Sequence, residues 1–303
     1  MKPSAFTHYN FGMRDLLVVI LNYNTRDLLR NCLQSLRAQP GVSYEVCVVD
    51  NASSDGSVDM VEREFAEVML IRNLLNNGYS AGNNMGLRAF GFPGAGQARH
   101  IMLLNPDTLV PAGALAGLVA FADTHPAVGV VGPRLLLEDG SLDKACRRGF
   151  PTPQVSFYRL TGISALFPKS ARFNRYNMEY LDEHAQAEVD SVVGACMLVR
   201  GEALAKTGLL DEQFFMYGED IDWCMRIKAS GWRVMYFPDV VVHHIKRAAS
   251  RKSAKARYEF QRAMWLFYRK HYRAQTPMWV DVMVRLGLWA RGGNALWKEM
   301  NTS

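Results

Sequence analysis

The sequence predicts an α/β chain built on a doubly wound, mostly parallel sheet and closed by a basic helical segment. Three observations carry that prediction. Short apolar runs alternate with helical periodicities over residues 16–131, a polar cluster follows most of the early runs, and positive charge gathers toward the C-terminus.

The elements follow in order. Leu16 to Leu21 is an unbroken apolar run, the pattern of a buried strand. Leu28, Leu29, Cys32, Leu33 and Leu36 then recur at helical spacing, and Pro40-Gly41 marks the stop. Val46 to Val49 forms a second strand, and Val58, Val61 and Phe65 mark the helix behind it. Val68 to Ile71 is a third strand. Ile101 to Leu104 is a fourth, beyond a Gly/Pro-rich break at residues 91–96. The alternation stops after Val128 to Val131. Residues 147–188 read as irregular, with Pro151, Pro153 and several aromatic residues. Two readings stand for them: a surface excursion closed by its own apolar cluster, or a flap over an acceptor. Order resumes at Val192 to Val199, a helix starts near Glu219, and strands follow at residues 234–237 and 240–244.

Composition bounds the rest. With 303 residues, 49% of them hydrophobic, the chain can bury a full core. No apolar stretch is long enough to cross a bilayer and no signal peptide is evident. The expected location is therefore cytoplasmic, or peripheral on the inner face of the cell membrane. Five cysteines lack any C-x-x-C pair, which argues for reduced core thiols. From Lys246 onward there are 13 Lys or Arg and 3 acidic residues, a balance of +10. The whole chain carries +6, so residues 1–245 sum to 6 − 10 = −4. Within residues 251–303 these cations interleave with Trp265, Phe267, Tyr268, Trp279, Trp289 and Trp297. Such a segment is either an amphipathic interfacial helix on an anionic membrane surface or a helical pair packed on the body. Nucleic acid is not an expected partner, since no recognised module accompanies the charge.

Chemistry concentrates just after the strands. Asn22-Tyr23-Asn24, Asp50-Asn51, Asn76-Asn77-Gly78 and Asn105-Pro106-Asp107 all fall there, and in an open α/β sheet those positions line the ligand crevice. Asp50 is either a turn former or a ligand contact, while Asp55 and Ser57 suit a helix start. Gly78, Gly82 and Gly86 allow close backbone approach, and a helix beginning there favours an anionic diphosphate. Glu219-Asp220 opens a helix, where acids either complement the macrodipole or do chemistry. His243-His244 ends a strand, as a structural hydrogen-bonding pair or as a ligand.

Five segments in order resemble family 2 glycosyltransferases, and more narrowly their bacterial rhamnosyltransferase branch. They are VILNYN (19–24), VVDNASSDGS (48–57), NNGYSAGNNMG (76–86), LLNPD (103–107) and FFMYGEDIDWC (214–224). The resemblance implies a GT-A-like catalytic domain over residues 12–250, with 147–188 as the acceptor flap and 251–303 as a separate tail. It implies inverting transfer of one sugar, with dTDP-L-rhamnose as the donor and a glycolipid or cell-envelope polysaccharide as the acceptor. Donor contacts would come from Asn22, Tyr23, Asp50, Gly82, Asn83, Asn84 and Asn105. Asp107 stands at the second carboxylate of the family's D-x-D motif, with Asn105 at the first. A divalent cofactor, Mg²⁺ or Mn²⁺, would rest on Asp107 with His244, or less readily His243, beside it. Asp220 would be the base, with Glu219 as the substitute. UDP-galactofuranose or UDP-N-acetylhexosamine are the rival donors, and a non-catalytic glycan- or nucleotide-binding module is the rival class. The processive Q-x-x-R-W motif is absent from the sequence.

Overall fold

The computed structural model describes residues 13–37, 39–245 and 253–302. Residue 12 and the expected boundary between body and tail, residues 246–252, lie outside that range.

Four parallel strands form the first half: β1 (Arg14–Asn22), β2 (Tyr44–Asp50), β3 (Met69–Arg72) and β4 (Ala98–Leu104). Between them run α1 (Arg26–Leu36), α2 (Ser57–Glu64) and α3 (Gly78–Ala89). The periodicity of α1 is matched by its burial, since Leu28, Leu29, Cys32, Leu33 and Leu36 are all buried. Asp55 ties the starts of two helices together: its carboxylate accepts the backbone N–H groups of Arg26 and Ser57. All five cysteines are buried and free.

The second half continues with β5 (Thr108–Leu109), α4 (Ala114–Thr124), β6 (Val128–Leu136), α5 (Pro153–Leu160) and α6 (Ile163–Leu166). Then come β7 (Ala187–Glu188), β8 (Cys196–Arg200), α7 (Gly201–Thr207), α8 (Glu219–Ala229) and β9 (Arg233–His244). The nine-stranded sheet has the order β3-β2-β1-β4-β8-β6-β9-β5, with β7 pairing on β9. β8 is antiparallel to both β4 and β6, and β9 is parallel to β6. Thus β1, β2, β3, β4, β6 and β9 point one way, and β5, β7 and β8 the other. The sheet is mostly parallel, as the alternation predicts.

Residues 234–237 and 240–244, expected as separate strands, form one strand with a break in register. Phe237 pairs with Pro133, and the next pair is Val241 with Arg134. Pro238 offers no N–H to the ladder, so the chain bulges there and resumes pairing beyond it.

The tail is α9 (Ala254–His271) and α10 (Met278–Thr302), the latter interrupted at Gly293. Ala263, Leu266 and Phe267 of α9 are buried against Phe214 and Ile221 of the body. Trp265 and Tyr268, on the same helix, pack with Leu296 and Met300 of α10. The fully buried Asp222 accepts an ion pair from Lys270 at 2.8 Å and a contact from His271 at 2.7 Å. Of the two readings of the tail, α9 therefore follows the packed one: its aromatic residues and part of its charge are spent on the body. α10 differs, exposing Met278, Trp279, Val282, Met283, Leu286 and Trp289. The 147–188 excursion has its own aromatic cluster, with Tyr158 and Phe167 against Phe173 and Arg159 over Tyr176.

Candidate active site

At the carboxyl ends of β1 and β2 the polar clusters lock together. Asn22, fully buried, donates from Nδ2 to Asp50 Oδ1 at 2.8 Å and to Ser53, while its Oδ1 accepts from Thr25. The second Asp50 oxygen accepts the Ser53 N–H at 2.9 Å. Asn22 thus positions Asp50, with its own amide engaged inside the protein. Asn51 adds a further layer through Asn73, Asn76 and the Gly78 carbonyl. Tyr23 stands exposed at the rim.

The glycine-rich helix departs from expectation. A Cβ on Gly82 would meet the Leu21 side chain at 2.3 Å, and one on Gly86 would meet Val19 at 2.7 Å. These two glycines let α3 lie close on the sheet, which gives Gly82 a packing role besides the ligand approach expected of it. A Cβ on Gly78 would sit 2.3 Å from the Phe215 carbonyl, which accepts the Tyr79 N–H. The Gly78 N–H goes to Asn76. Two donors at this helix start are already taken, against the expected diphosphate cradle. Asn84 holds the Leu210 backbone and Glu212, and Asn83 donates to the Tyr79 carbonyl. Both side chains are buried and make these internal bonds at the positions from which sugar contacts are expected. The side chain of Asn105 makes no hydrogen bond among the described residues, and its carbonyl accepts from Thr108.

Pairing of β5 with β9 sets Thr108 opposite His244 and so brings Asp107 beside the imidazole. His244 Nε2 lies 3.3 Å from Asp107 Oδ1, and Nδ1 lies 2.9 Å from Asp143 Oδ2. Burial opposes the imidazolium, but the two carboxylates outweigh it and raise its pKa. Asp107 Oδ1 is buried without a hydrogen bond, although it faces His244. An oxygen anion without a hydrogen bond, an imidazole and an orienting carboxylate are a donor set that fits a hard divalent ion. Among the described residues no group of three or more ligating side chains converges, so any such ion would depend on ligand oxygens as well. His243 is exposed, on the other side of the strand from buried His244; it is set aside as a ligand.

Glu219 and Asp220 open α8 behind two left-handed residues, Tyr217 (φ 70°) and Gly218 (φ 79°). A non-glycine residue there costs about 1 kcal/mol or more, a strain retained next to two buried acids. Arg148 donates to Asp220 Oδ2 at 2.6 Å, the Gly194 N–H reaches the same oxygen at 3.1 Å, and Oδ1 accepts the Ile221 N–H. Glu219 has a buried Oε2 with no hydrogen-bond partner among the described residues. Burial first, and then the charge of Asp220, push its pKa up to about 8. Tyr79 links the two halves. Its hydroxyl donates to the Gly194 carbonyl, and burial together with Glu219, Asp220 and Asp107 raises its pKa. Through Gly194, whose carbonyl takes the Tyr79 hydroxyl and whose N–H holds Asp220, the glycine-rich helix is tied to the acidic start of α8.

The chain from residue 14 to 265 matches the family model described as "Glycosyltransferase like family 2". This chain is a family 2 glycosyltransferase. Among curated relatives, it is 28% identical over 263 residues to the N-acetylglucosaminyl-diphospho-decaprenol L-rhamnosyltransferase of Mycobacterium tuberculosis, covering 84% of each chain. Rhamnosyltransferase WbbL of Escherichia coli K12 is 23% identical over 228 residues, 73% of this chain and 80% of that one. Among solved structures, the mannosyltransferase PcManGT of Pyrobaculum calidifontis, in complex with GDP-Man and Mn²⁺, superposes with a TM-score of 0.57 at 19% identity. That match covers 92% of this chain and 72% of the other. S. aureus TarS in complex with UDP-GlcNAc gives 0.58 at 17% identity over 91% and 71%. The transferase has the GT-A fold that its motifs imply.

Sequence reasoning about this transferase passed over Arg148, Asp143 and Tyr79. Each acts on a named residue far away in the chain, 72, 101 and 115 positions off, and no local pattern announces it.

Proposed function

We propose that this glycosyltransferase moves one L-rhamnose from dTDP-L-rhamnose to a glycolipid acceptor, with inversion at the anomeric carbon. The observation that carries the reading is the buried acid pair Glu219-Asp220 at the start of α8, with Asp220 held by Arg148 and the Gly194 N–H. The rhamnosyltransferase relatives supply the sugar, and the printed acceptor of the mycobacterial one supplies the glycolipid.

Asp50, held by Asn22 and Ser53, offers a carboxylate to the imide N–H of the base, with Tyr23 at the rim. Asp220 takes the acceptor hydroxyl proton. The acceptor oxygen then bonds to the anomeric carbon as the bond to the nucleoside diphosphate breaks. Arg148 aims Asp220, whereas Glu219, its pKa pushed up to about 8, holds its own proton at neutral pH. Asp107 and His244 would hold Mg²⁺ or Mn²⁺, which when bound neutralises charge on the departing diphosphate. Among the described residues no helix is long and apolar enough to cross a membrane. The exposed apolar face of α10 supports a peripheral position at the cytoplasmic side of the membrane.

A thermal-shift and donor-hydrolysis screen with and without Mn²⁺ tests the reading. dTDP-L-rhamnose should stabilise the protein and be hydrolysed faster than UDP-galactofuranose or UDP-N-acetylglucosamine. Preference for either UDP-sugar would replace the donor, and no hydrolysis of any would sink the reading.

A further inference from the structure

A groove of about 1100 Å³ lies between the 147–188 excursion and the tail helices. Phe157 and Leu160 of α5 form one wall, Phe260 and Met264 of α9 the floor, and Trp279 and Met283 of α10 the other wall. Phe157, Leu160, Trp279 and Met283 are all exposed, an arrangement rare on a surface meant only for water. We infer that this groove binds the hydrocarbon chain of the acceptor, an inference that rests on the glycolipid reading above.

Two further observations select that occupant. First, the groove packs on the segment that leads into the base: Phe260 lies edge-on against Tyr217 at 5.7 Å, three residues before Asp220. Phe267, also in the lining, packs with Phe214 and Ile221 beside Asp220. A molecule offering a hydroxyl to Asp220 can lay its far end here. Second, Arg159 and Arg291 line the same groove, and neither has a carboxylate partner among the described residues. Two guanidinium groups beside an apolar trough, one of them stacked on Tyr176 with its N–H edge left for a ligand, complement an anionic phosphate joined to a hydrocarbon chain.

Gly287 provides the test. It lines the groove, and a Cβ added there meets nothing within 4 Å, so a larger side chain would project into open space. The probes are butyl, octyl and dodecyl phosphate below their micelle concentrations, followed by tryptophan fluorescence of the full chain. Affinity should rise by about tenfold for every two methylenes until the groove is filled. Gly287→Phe should weaken dodecyl phosphate by about tenfold or more, and Gly287→Ala should leave it near wild type. Both variants should keep the wild-type melting temperature and donor hydrolysis. Affinity independent of chain length, or a Gly287→Phe variant that binds as wild type does, overturns the inference while donor hydrolysis leaves the transferase reading standing. Chain-length-dependent binding in a protein that hydrolyses no donor would sink that reading and keep the groove. If no alkyl phosphate binds and the chain elutes as a dimer, the face serves a second copy and the inference falls.

Discussion

Asp220 and Glu219 share one helical turn, yet their surroundings separate their chemistry. Arg148 and the Gly194 N–H fix the Asp220 carboxylate by hydrogen bonds, while Glu219 meets burial and a like charge. Asp220→Asn should keep donor affinity and lower transfer by about 10²-fold or more, read from initial rates and nucleotide titration. A dead Glu219→Gln beside an active Asp220→Asn would exchange the two roles. Glu219 also has a stability signature. Its pKa is about 8 when folded against an ordinary 4.5, so between those values the folded state holds the extra proton. Stability then falls as pH rises through that window, and below it the group contributes nothing. Glu219→Gln should accordingly raise the melting temperature at pH 8 by about 2 °C or more, and leave it unchanged at pH 4. Equal melting curves at pH 8 would show that the carboxyl is not desolvated. For the metal centre, Asp107→Ala should abolish Mn²⁺-dependent binding of the nucleoside diphosphate. Asp143→Asn, which removes only the orienting partner of His244, should weaken it about 10–100-fold, and His243→Ala should do nothing. Calorimetric titration separates the three.

Among the helices, α3 and α9 show how packing claims residues that look chemical. Gly82 and Gly86 leave room for Leu21 and Val19, which brings α3 down onto β1 and β2. Gly82→Ala should destabilise the protein by about 1–3 kcal/mol without changing donor affinity in the folded fraction; a neutral effect in denaturant titration would contradict that fit. α9 is held by the buried Asp222, whose pKa is depressed to about 2 because His271, Arg226 and Lys270 outweigh its burial. Asp222→Ala leaves Arg226 and His271 without their carboxylate, Lys270 keeping Asp211, and should cost about 3 kcal/mol. A chain cut ahead of Ala254 would uncover Phe214 and Ile221, so it should be insoluble rather than a free-standing nucleotide binder.

Across the protein as a whole, charge and apolar surface are divided between body and tail. Several tail cations already have partners, as Arg262 does with Glu299 and Lys270 with Asp211. Arg291 and Lys298, on α10 itself, have no carboxylate partner among the described residues, so apolar contact and charge would act together at a bilayer. The protein should sediment with anionic but not zwitterionic vesicles, and high salt should release much of it. A Trp279→Ser, Met283→Ser double variant should lose most of that binding while donor affinity holds. Unchanged sedimentation of the double variant would remove α10 from the membrane.

The strands, α1, and the placing of Asp50 and Asp107 at strand ends were legible because they rest on local periodicity and on the direction of a parallel sheet. Burial of Leu28, Leu29, Cys32, Leu33 and Leu36 needs only a helix with one apolar face. The aromatic, basic tail left two outcomes open, since the pattern that covers a body helix also suits a bilayer. Contact with Phe214 and Ile221 settled α9. The roles of Gly82 and Asn84 were equally open, because a small or amide residue serves a ligand and a neighbouring element by the same means. Asp143, Arg148 and Tyr79 acquire meaning only when distant segments meet, for an ion pair or buried hydrogen bond depends on distance in space and leaves no period in the chain. Sequence therefore determined the parallel half of the sheet, the order of its elements and the carboxylates that can do chemistry; long-range contact decided which of them an arginine holds, which keeps its proton and which histidine faces inward.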